Sequence, residues 1–379
     1  MAIDRRDFVA RAGALAAMGM VSAPALAATQ AGGDPIADWI VVNALGGLGD
    51  PNSPPDGTRS AISPRVLADA HASGVTTINV TLGYVAGPED PFEDTVRDIA
   101  TTDRMIREQP RDLIKILSAA DIRRAKAEKK VGLLYGFQNC AMLGKDATRV
   151  DVFADLGVRV FQLTYNPANL LGDGSMAPEN RGITPFGREV IARLNDRRVM
   201  VDLSHSGERT CLDAARASRA PISINHTGCR ALTDLPRNKT DAELRLVAER
   251  GGFVGIYFMP FLNKSGHATA EDVVAHIDHA VNVCGEDHVG IGTDGTVTQI
   301  DDLKVYEAKL AKEIADRRAA GISATGERPD TYPFVVDLRG PDQFRKLARL
   351  LEAKGYAPRR VEKILGLNFL RYAEAIWGS

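Results

Sequence analysis

The chain has 379 residues, 47 basic against 49 acidic, for a net charge of −2 with 25% charged residues. That is a soluble globular composition with enough length for a large core, and its near-neutral balance, with no basic run interleaved with aromatics, gives no support for nucleic-acid binding. The four cysteines, Cys140, Cys211, Cys229 and Cys284, are scattered with no CxxC pair, which disfavours a structural zinc ribbon and assigns no disulfide.

The first residues read as an address. Asp4-Arg5-Arg6-Asp7-Phe8-Val9 leads into a small-residue apolar run from Ala10 to Met20, and then into Ala25-Leu26-Ala27, an A-x-A cleavage signature. This predicts a twin-arginine-type signal over residues 1–27 and a mature chain that works in the periplasm or outside the cell. The apolar run is too short for a lasting membrane anchor. The competing reading is an N-terminal helix that stays attached.

Beyond the leader, short apolar runs alternate with helical patterns. Strands are predicted at 39–43, 75–80, 131–138 and 158–165, then at Val199–His205, Pro221–His226, 252–258 and 288–294. A Gly/Pro loop follows the first, from Ala44 to Pro51. Helical patterns cover 64–73, 91–130 with a break at Gln109-Pro110, 150–156, 184–196, 207–218, 239–250 and 270–284. Thr184 reads as an N-cap with Pro185 at the first helical position. Residues 304–339 look like an insertion before the closing helices at 341–354, 358–365 and 368–377, with Gly366 as a cap. Eight strands alternating with helices over about 250 residues predict a (β/α)8 TIM barrel in a single domain, residues 28–379. A doubly wound open sheet is the runner-up, but no GxGxxG follows the first strand.

In such a barrel the C-terminal strand ends form the active site. Here they carry Asn43, Gln138, Tyr165, His205, His226 and Asp294. Singly, each has a plain reading: a hydrogen-bonded histidine, a turn-capping aspartate, ordinary rim residues. Together, two histidines on adjacent strand ends with a carboxylate two strands on are raw material for a zinc-type site.

Asp202-Leu203-Ser204-His205-Ser206, with a second histidine 21 residues later, resembles the membrane (renal) dipeptidase family of zinc peptidases. So do Gln162-Leu163-Thr164-Tyr165-Asn166, Gly172-Asp173-Gly174, Arg237-Asn238-Lys239-Thr240-Asp241, Gly290-Ile291-Gly292-Thr293-Asp294 and Ile364-Leu365-Gly366-Leu367-Asn368-Phe369-Leu370-Arg371. The resemblance runs in order from Trp39 to Trp377. It implies a barrel of the metal-dependent hydrolase type that cleaves dipeptides with a metal-activated water, and it suggests a homodimer. It assigns His205 and His226 to a metal, Arg237 to the substrate's C-terminal carboxylate, Asp294 to the proton passed to the leaving amine, and Tyr165 to the oxyanion. Tyr165 and Asn166 are expected to line the substrate. Without the resemblance, Arg237 reads as a surface salt bridge.

The sequence also departs from the family. Leu45 and Gly47 stand where the first strand should end in an H-x-D pair, and Gln138 stands where a bridging glutamate should be. An amide oxygen coordinates weakly and brings no negative charge. His205 and His226, with Asp294 moving in as a third ligand, would make a one-zinc site of the usual three-ligand kind; Asp294 would then have to choose between ligand and base. The expected function is an exported metallohydrolase acting on a dipeptide or related small amide. The alternative is a non-catalytic small-ligand-binding protein on a decayed barrel, and a metal-free lyase or isomerase ranks last.

Overall fold

The computed structural model describes residues 34–53, 61–87 and 89–378. The predicted signal, residues 1–27, lies outside them. Among the described residues no helix is long and apolar enough to cross a membrane.

Ten strands form one sheet in which every pairing is parallel: β1 (Val42–Gly47), β2 (Thr77–Thr81), β3 (Leu113–Ile116), β4 (Val131–Phe137), β5 (Val160–Gln162), β6 (Met200–Asp202), β7 (Ser223–Thr227), β8 (Phe253–Ile256), β9 (Val289–Ile291) and β10 (Gly295–Thr296). The order is β10-β1-β2-β4-β5-β6-β7-β8-β9, with β3 on the side of β4. β9 and β10 are one path interrupted at Gly292–Asp294. The first part pairs with β8 and the second with β1, so the sheet curls round and closes as a (β/α)8 barrel.

The closure is held by side chains as well as by the ladder. Asn43 Nδ2 donates to Thr293 Oγ1 at 2.8 Å, and Thr293 N donates back to Asn43 Oδ1 at 2.8 Å. Asp294 N donates to Leu45 O at 2.9 Å. Gly46 is needed where the two ends meet: a Cβ there would lie 2.2 Å from Asn43 Nδ2 and 2.9 Å from Gly295 O.

The opposite end is plugged. Val42, Val160, Met200 and Phe253 open their strands and point into one apolar cluster with Phe369, Leu370 and Tyr372 of the terminal helix, Asn368–Trp377. Phe253 meets Phe369 edge-on at 5.2 Å. The terminal helix therefore seals the N-terminal mouth and leaves the C-terminal rim as the open face.

The structure corrects three sequence expectations. The first strand starts later and runs further than 39–43, so Leu45 and Gly47 sit on the strand end itself and not in a loop. The stretch read as helix from 91 to 130 breaks into a helix, Pro91–Glu108, the strand β3, and a second helix, Ala119–Ala127. β3 is only four residues long, too short for its alternation to stand out, and it pairs with the first half of β4 while β5 takes the second half. Gly366 is not a cap. It lies in a π-helical turn, Lys363–Leu367, where a Cβ would come within 1.9 Å of Ile40 O. The four cysteines are free and buried.

The 304–339 insertion is a helix, Leu303–Ala319, followed by an irregular return that reaches the rim: Asn166 Nδ2 donates to Ile322 O at 2.7 Å. Removing the closure latch should be costly. In Asn43→Ala the buried Thr293 amide loses its acceptor, and urea unfolding is expected to show a loss of about 2–3 kcal/mol. A change under about 0.5 kcal/mol would mean the ladder alone closes the barrel.

Candidate active site

β6 ends in Asp202, a buried carboxylate that organises the turn after it. It accepts from Ser204 N at 3.0 Å, from Ser204 Oγ, and from Asn225 N on β7 at 3.0 Å. Ser204 Oγ then accepts from His226 N at 3.0 Å, and Ser204 O accepts from Arg237 Nη1 at 2.6 Å. A three-residue turn thus places His205, His226 and Arg237 together. Burial raises the Asp202 pKa above the usual carboxylate value, and the hydrogen bonds from Asn225 and Ser204 pull against that rise.

The two imidazoles face each other, with ring centroids 5.0 Å apart. His205 Nδ1 lies 2.7 Å from Asn166 Oδ1. Because Asn166 Nδ2 is committed to Ile322 O, its oxygen faces the histidine, so His205 carries its proton on Nδ1. Among the described residues His205 Nε2 is a buried lone pair without a partner, and His226 has none at either ring nitrogen. Burial holds both pKa values well below the ordinary histidine value, with the Arg237 charge pushing the same way. Both rings are neutral, the state a metal ligand needs.

Arg237 is buried, contrary to the surface salt bridge that its position alone suggests. Its guanidinium lies over the Tyr257 ring at 5.9 Å, and among the described residues no carboxylate pairs with it. The segment that carries it is pinned from both sides. Asn238 donates to Thr233 O and Phe261 O and accepts from the Tyr257 hydroxyl. Lys239 is buried against Glu243 at 3.2 Å and donates to Ser206 O. Arg237 is thus a preformed, unpaired cation edge in the crevice, suited to an incoming carboxylate.

Tyr165 stacks on His205, with centroids 4.2 Å apart and planes 21° from parallel. Burial, reinforced by the Asp294 charge, pushes its phenol up to about 12, so it remains a hydrogen-bond donor. Asp294 lies just past β9 at the closure of the barrel, in a left-handed backbone conformation with φ 57°. Burial raises its pKa to about 6, against the pull of Arg237 and Arg317. A carboxylate poised near neutrality can take up and return a proton.

The other half of the crevice is different. Leu45 and Gly47 bring no donor, and Gln138 is half-buried at the end of β4, where its backbone oxygen accepts from Gln162 Nε2 at 2.6 Å. Among the described residues no three His, Cys, Asp or Glu side chains gather as a metal-binding group. Asp294, on the β9 side of the crevice, is not grouped with the two imidazoles in this arrangement. The donor set does not fit a pair of ions. It does leave His205 Nε2 and the ring nitrogens of His226, buried and without a partner among the described residues, as donors for one ion.

Asp202, Ser204, Lys239 and Tyr257 support the site without having been picked out individually from the sequence. The D-L-S-H spacing was the available signal for Asp202 and Ser204: a carboxylate two residues before a serine folds back on its own turn. Tyr257 carries no such signal, because its contact with Asn238 joins two different strand ends. Gly174 marks another hidden requirement, since a Cβ there would lie 2.0 Å from Tyr165 O.

The family model for membrane dipeptidase, peptidase family M19, matches residues 63–322. That stretch begins after β1, the strand that lacks the H-x-D pair. The chain is 27% identical over 301 residues to an uncharacterized protein in the pqqA 5′ region of Klebsiella pneumoniae, covering 76% of this chain and 98% of that one. It is 30% identical over 303 residues to the dipeptidase tcpJ of Claviceps purpurea, covering 76% of this chain and 64% of that protein. Among solved structures, an amidohydrolase from Pseudomonas aeruginosa superposes with a TM-score of 0.78 at 31% identity, covering 91% of this chain and 98% of that one. The barrel, the paired histidines and the matched stretch agree: the chain belongs to the membrane dipeptidase family, and by that membership is a dipeptidase-like hydrolase.

Proposed function

We propose that the chain hydrolyses dipeptides, or small amides that share their free C-terminal carboxylate, and that it does so after export through its twin-arginine-type leader. The observation that carries the reading is Arg237, a buried cation without a carboxylate partner among the described residues, set beside two neutral imidazoles that leave His205 Nε2 and both His226 ring nitrogens unpartnered there. Arg237 grips the substrate carboxylate and sets the peptide bond over the crevice. One zinc ion fits His205 and His226 and would supply Lewis-acid polarisation of the scissile carbonyl and a water of lowered pKa. Tyr165 donates a hydrogen bond to the carbonyl oxygen as charge develops there. Asp294 accepts a proton from the attacking water and returns it to the leaving amine. Asn166 keeps His205 in its tautomer.

A second reading is a binding protein that keeps the carboxylate grip without hydrolysis. It is favoured by Leu45, Gly47 and Gln138 at the β1 and β4 ends, and by the lack of a three-member ligand group among the described residues. Metal analysis after folding in excess zinc, paired with a dipeptide hydrolysis screen, separates the two. About one ion per chain, lost in His205→Ala, with measurable turnover supports the hydrolase. Dipeptide binding with neither metal nor turnover supports the binding protein.

Arg237→Met should raise KM for a dipeptide by about 10- to 100-fold, the size of a lost charge-assisted hydrogen bond. The corresponding dipeptide amide, which offers no carboxylate, should show little of that loss; equal losses for both would remove Arg237 from carboxylate binding.

Asp294 gives a pH signature. Its folded pKa, about 6, lies above the ordinary aspartate value of 3.8, so the folded state binds the extra proton between those values. The cost of burying its charge is absent below about pH 4 and complete above about pH 6. Asp294→Asn should therefore raise the unfolding free energy by about 2–3 kcal/mol near pH 8 and leave it unchanged near pH 3.5. The same substitution should abolish turnover, and kcat/KM of the parent should fall on the acid side as Asp294 takes up its proton. A variant that is no more stable at high pH than the parent would contradict the buried charge.

Export is checked separately. Replacing Arg5 and Arg6 by lysine should leave the chain uncleaved inside the cell, and unchanged processing would rule out a twin-arginine route.

A further inference from the structure

The cavity beside Asp294 contains groups that the proposed hydrolysis leaves unused. It lies between the rim after β9 and the 304–339 insertion and encloses about 690 Å3, its open mouth included. Asp294 and Thr298 line its barrel side, and Phe258, Tyr306, Phe334 and Arg339 form much of the rest. Two polar atoms in this wall are buried without a hydrogen-bond partner among the described residues: Arg339 Nη1 and Thr298 Oγ1. Among the same residues no carboxylate pairs with Arg339.

Arg339 is held in place before any ligand arrives. Its guanidinium sits over the Phe334 ring at 5.3 Å, and its Nε donates to Val336 O at 3.1 Å. Phe334 is braced in turn by Tyr332 at 5.1 Å and Tyr306 at 5.5 Å. The next residue, Gly340, has φ 76°, and a Cβ there would lie 2.2 Å from Gln299 Oε1, so the backbone beside Arg339 is fixed. A desolvated guanidinium edge with no acceptor is unfavourable, and the group that relieves it best is a carboxylate. The aromatic side chains that line the cavity beside Arg339 suit a short hydrocarbon stem.

The cavity's position decides which part of a substrate reaches it. Arg237 and the two histidines belong to the β6–β7 side, and Asp294 belongs to the β9–β10 side. A dipeptide with its carboxylate on Arg237 and its peptide bond between the imidazoles and Asp294 directs its acyl-side residue here. We propose that this cavity is the specificity subsite for the acyl-side residue and receives an acidic side chain of glutamate length, whose carboxylate is bound by Arg339 and Thr298. The assignment rests on the proposed direction of dipeptide binding.

The test compares Glu-Ala with its isostere Gln-Ala on the zinc-loaded full chain. The parent should favour Glu-Ala in kcat/KM by about 10- to 100-fold. Arg339→Met should bring that ratio close to one, and Thr298→Val should lower it several-fold. Both substrates are assayed on one preparation, so the ratio does not depend on how much of a variant folds. A parent that does not distinguish the two, or an Arg339→Met protein that keeps the full preference, overturns the proposal. If neither substrate is cleaved, the hydrolase reading fails and the subsite is judged by equilibrium binding of the same two dipeptides. Tighter Glu-Ala binding that Arg339→Met abolishes upholds it, and equal binding overturns it.

Discussion

The site depends on one buried carboxylate. Asp202 sits at the end of β6, in a barrel where β6 and β7 share a single ladder register, Asp202 with Ser223. The strands would part at the rim if nothing else joined them. Asp202 joins them by accepting from Asn225 N, and through Ser204 it fixes the turn that displays His205. Every ligand-type group on this side of the crevice is then one hydrogen bond away: His226 through Ser204 Oγ, Arg237 through Ser204 O. A charge in the interior is tolerated only when its lone pairs are occupied. Satisfying Asp202 and building the active site are therefore the same requirement.

The other side of the crevice is built by closure. Asn43 and Thr293 exchange hydrogen bonds across 250 residues of sequence, and the backbone bond from Asp294 to Leu45 follows directly from that contact. Closing the barrel there puts Asp294 into a left-handed conformation and strips water from its carboxylate. Both effects disfavour the folded state, and both make the residue more useful, since they fix its direction and bring its proton affinity near neutrality. Arg237 follows the same pattern as a buried cation without a carboxylate partner among the described residues. The stability given up at these two positions has to be supplied elsewhere. The sealed N-terminal mouth, where Phe253, Phe369 and Tyr372 pack together, is one place that supplies it.

How much of this was legible in the sequence follows from how local each feature is. The barrel was readable because each βα unit announces itself: an apolar run, a cap such as Thr184 or Thr240, then a helical period. The paired histidines were readable because two adjacent strand ends must share one edge. β3 was not, because four residues between two helices give no periodicity to separate strand from helix. The role of Gly366 was not, because the backbone it accommodates, Ile40, is more than 300 positions away. The burial of Arg237 was hidden for a similar reason: its surroundings, Ser204 and Tyr257, belong to other strand ends. Local chemistry was legible and long-range contacts were not, and the rim of a barrel consists of long-range contacts.

The two halves of the crevice differ in charge, and that difference bears on what the crevice can hold. A pair of divalent cations brings four positive charges and needs carboxylates to balance them. The β1 and β4 ends, where the family's resemblance places an aspartate and a glutamate, carry Gly47 and Gln138, which contribute no charge. The β6–β7 side adds Arg237, and the charge of Lys239 is already matched by Glu243. Asp294 faces this excess from the β9 side and Asp202 lies buried behind the Ser204 turn, and both have raised pKa values. A second ion would meet uncompensated positive charge from Arg237 and from the first ion, in surroundings of low dielectric. This charge distribution agrees with the proposed single ion at the two imidazoles and the proposed use of Arg237 for an anionic substrate.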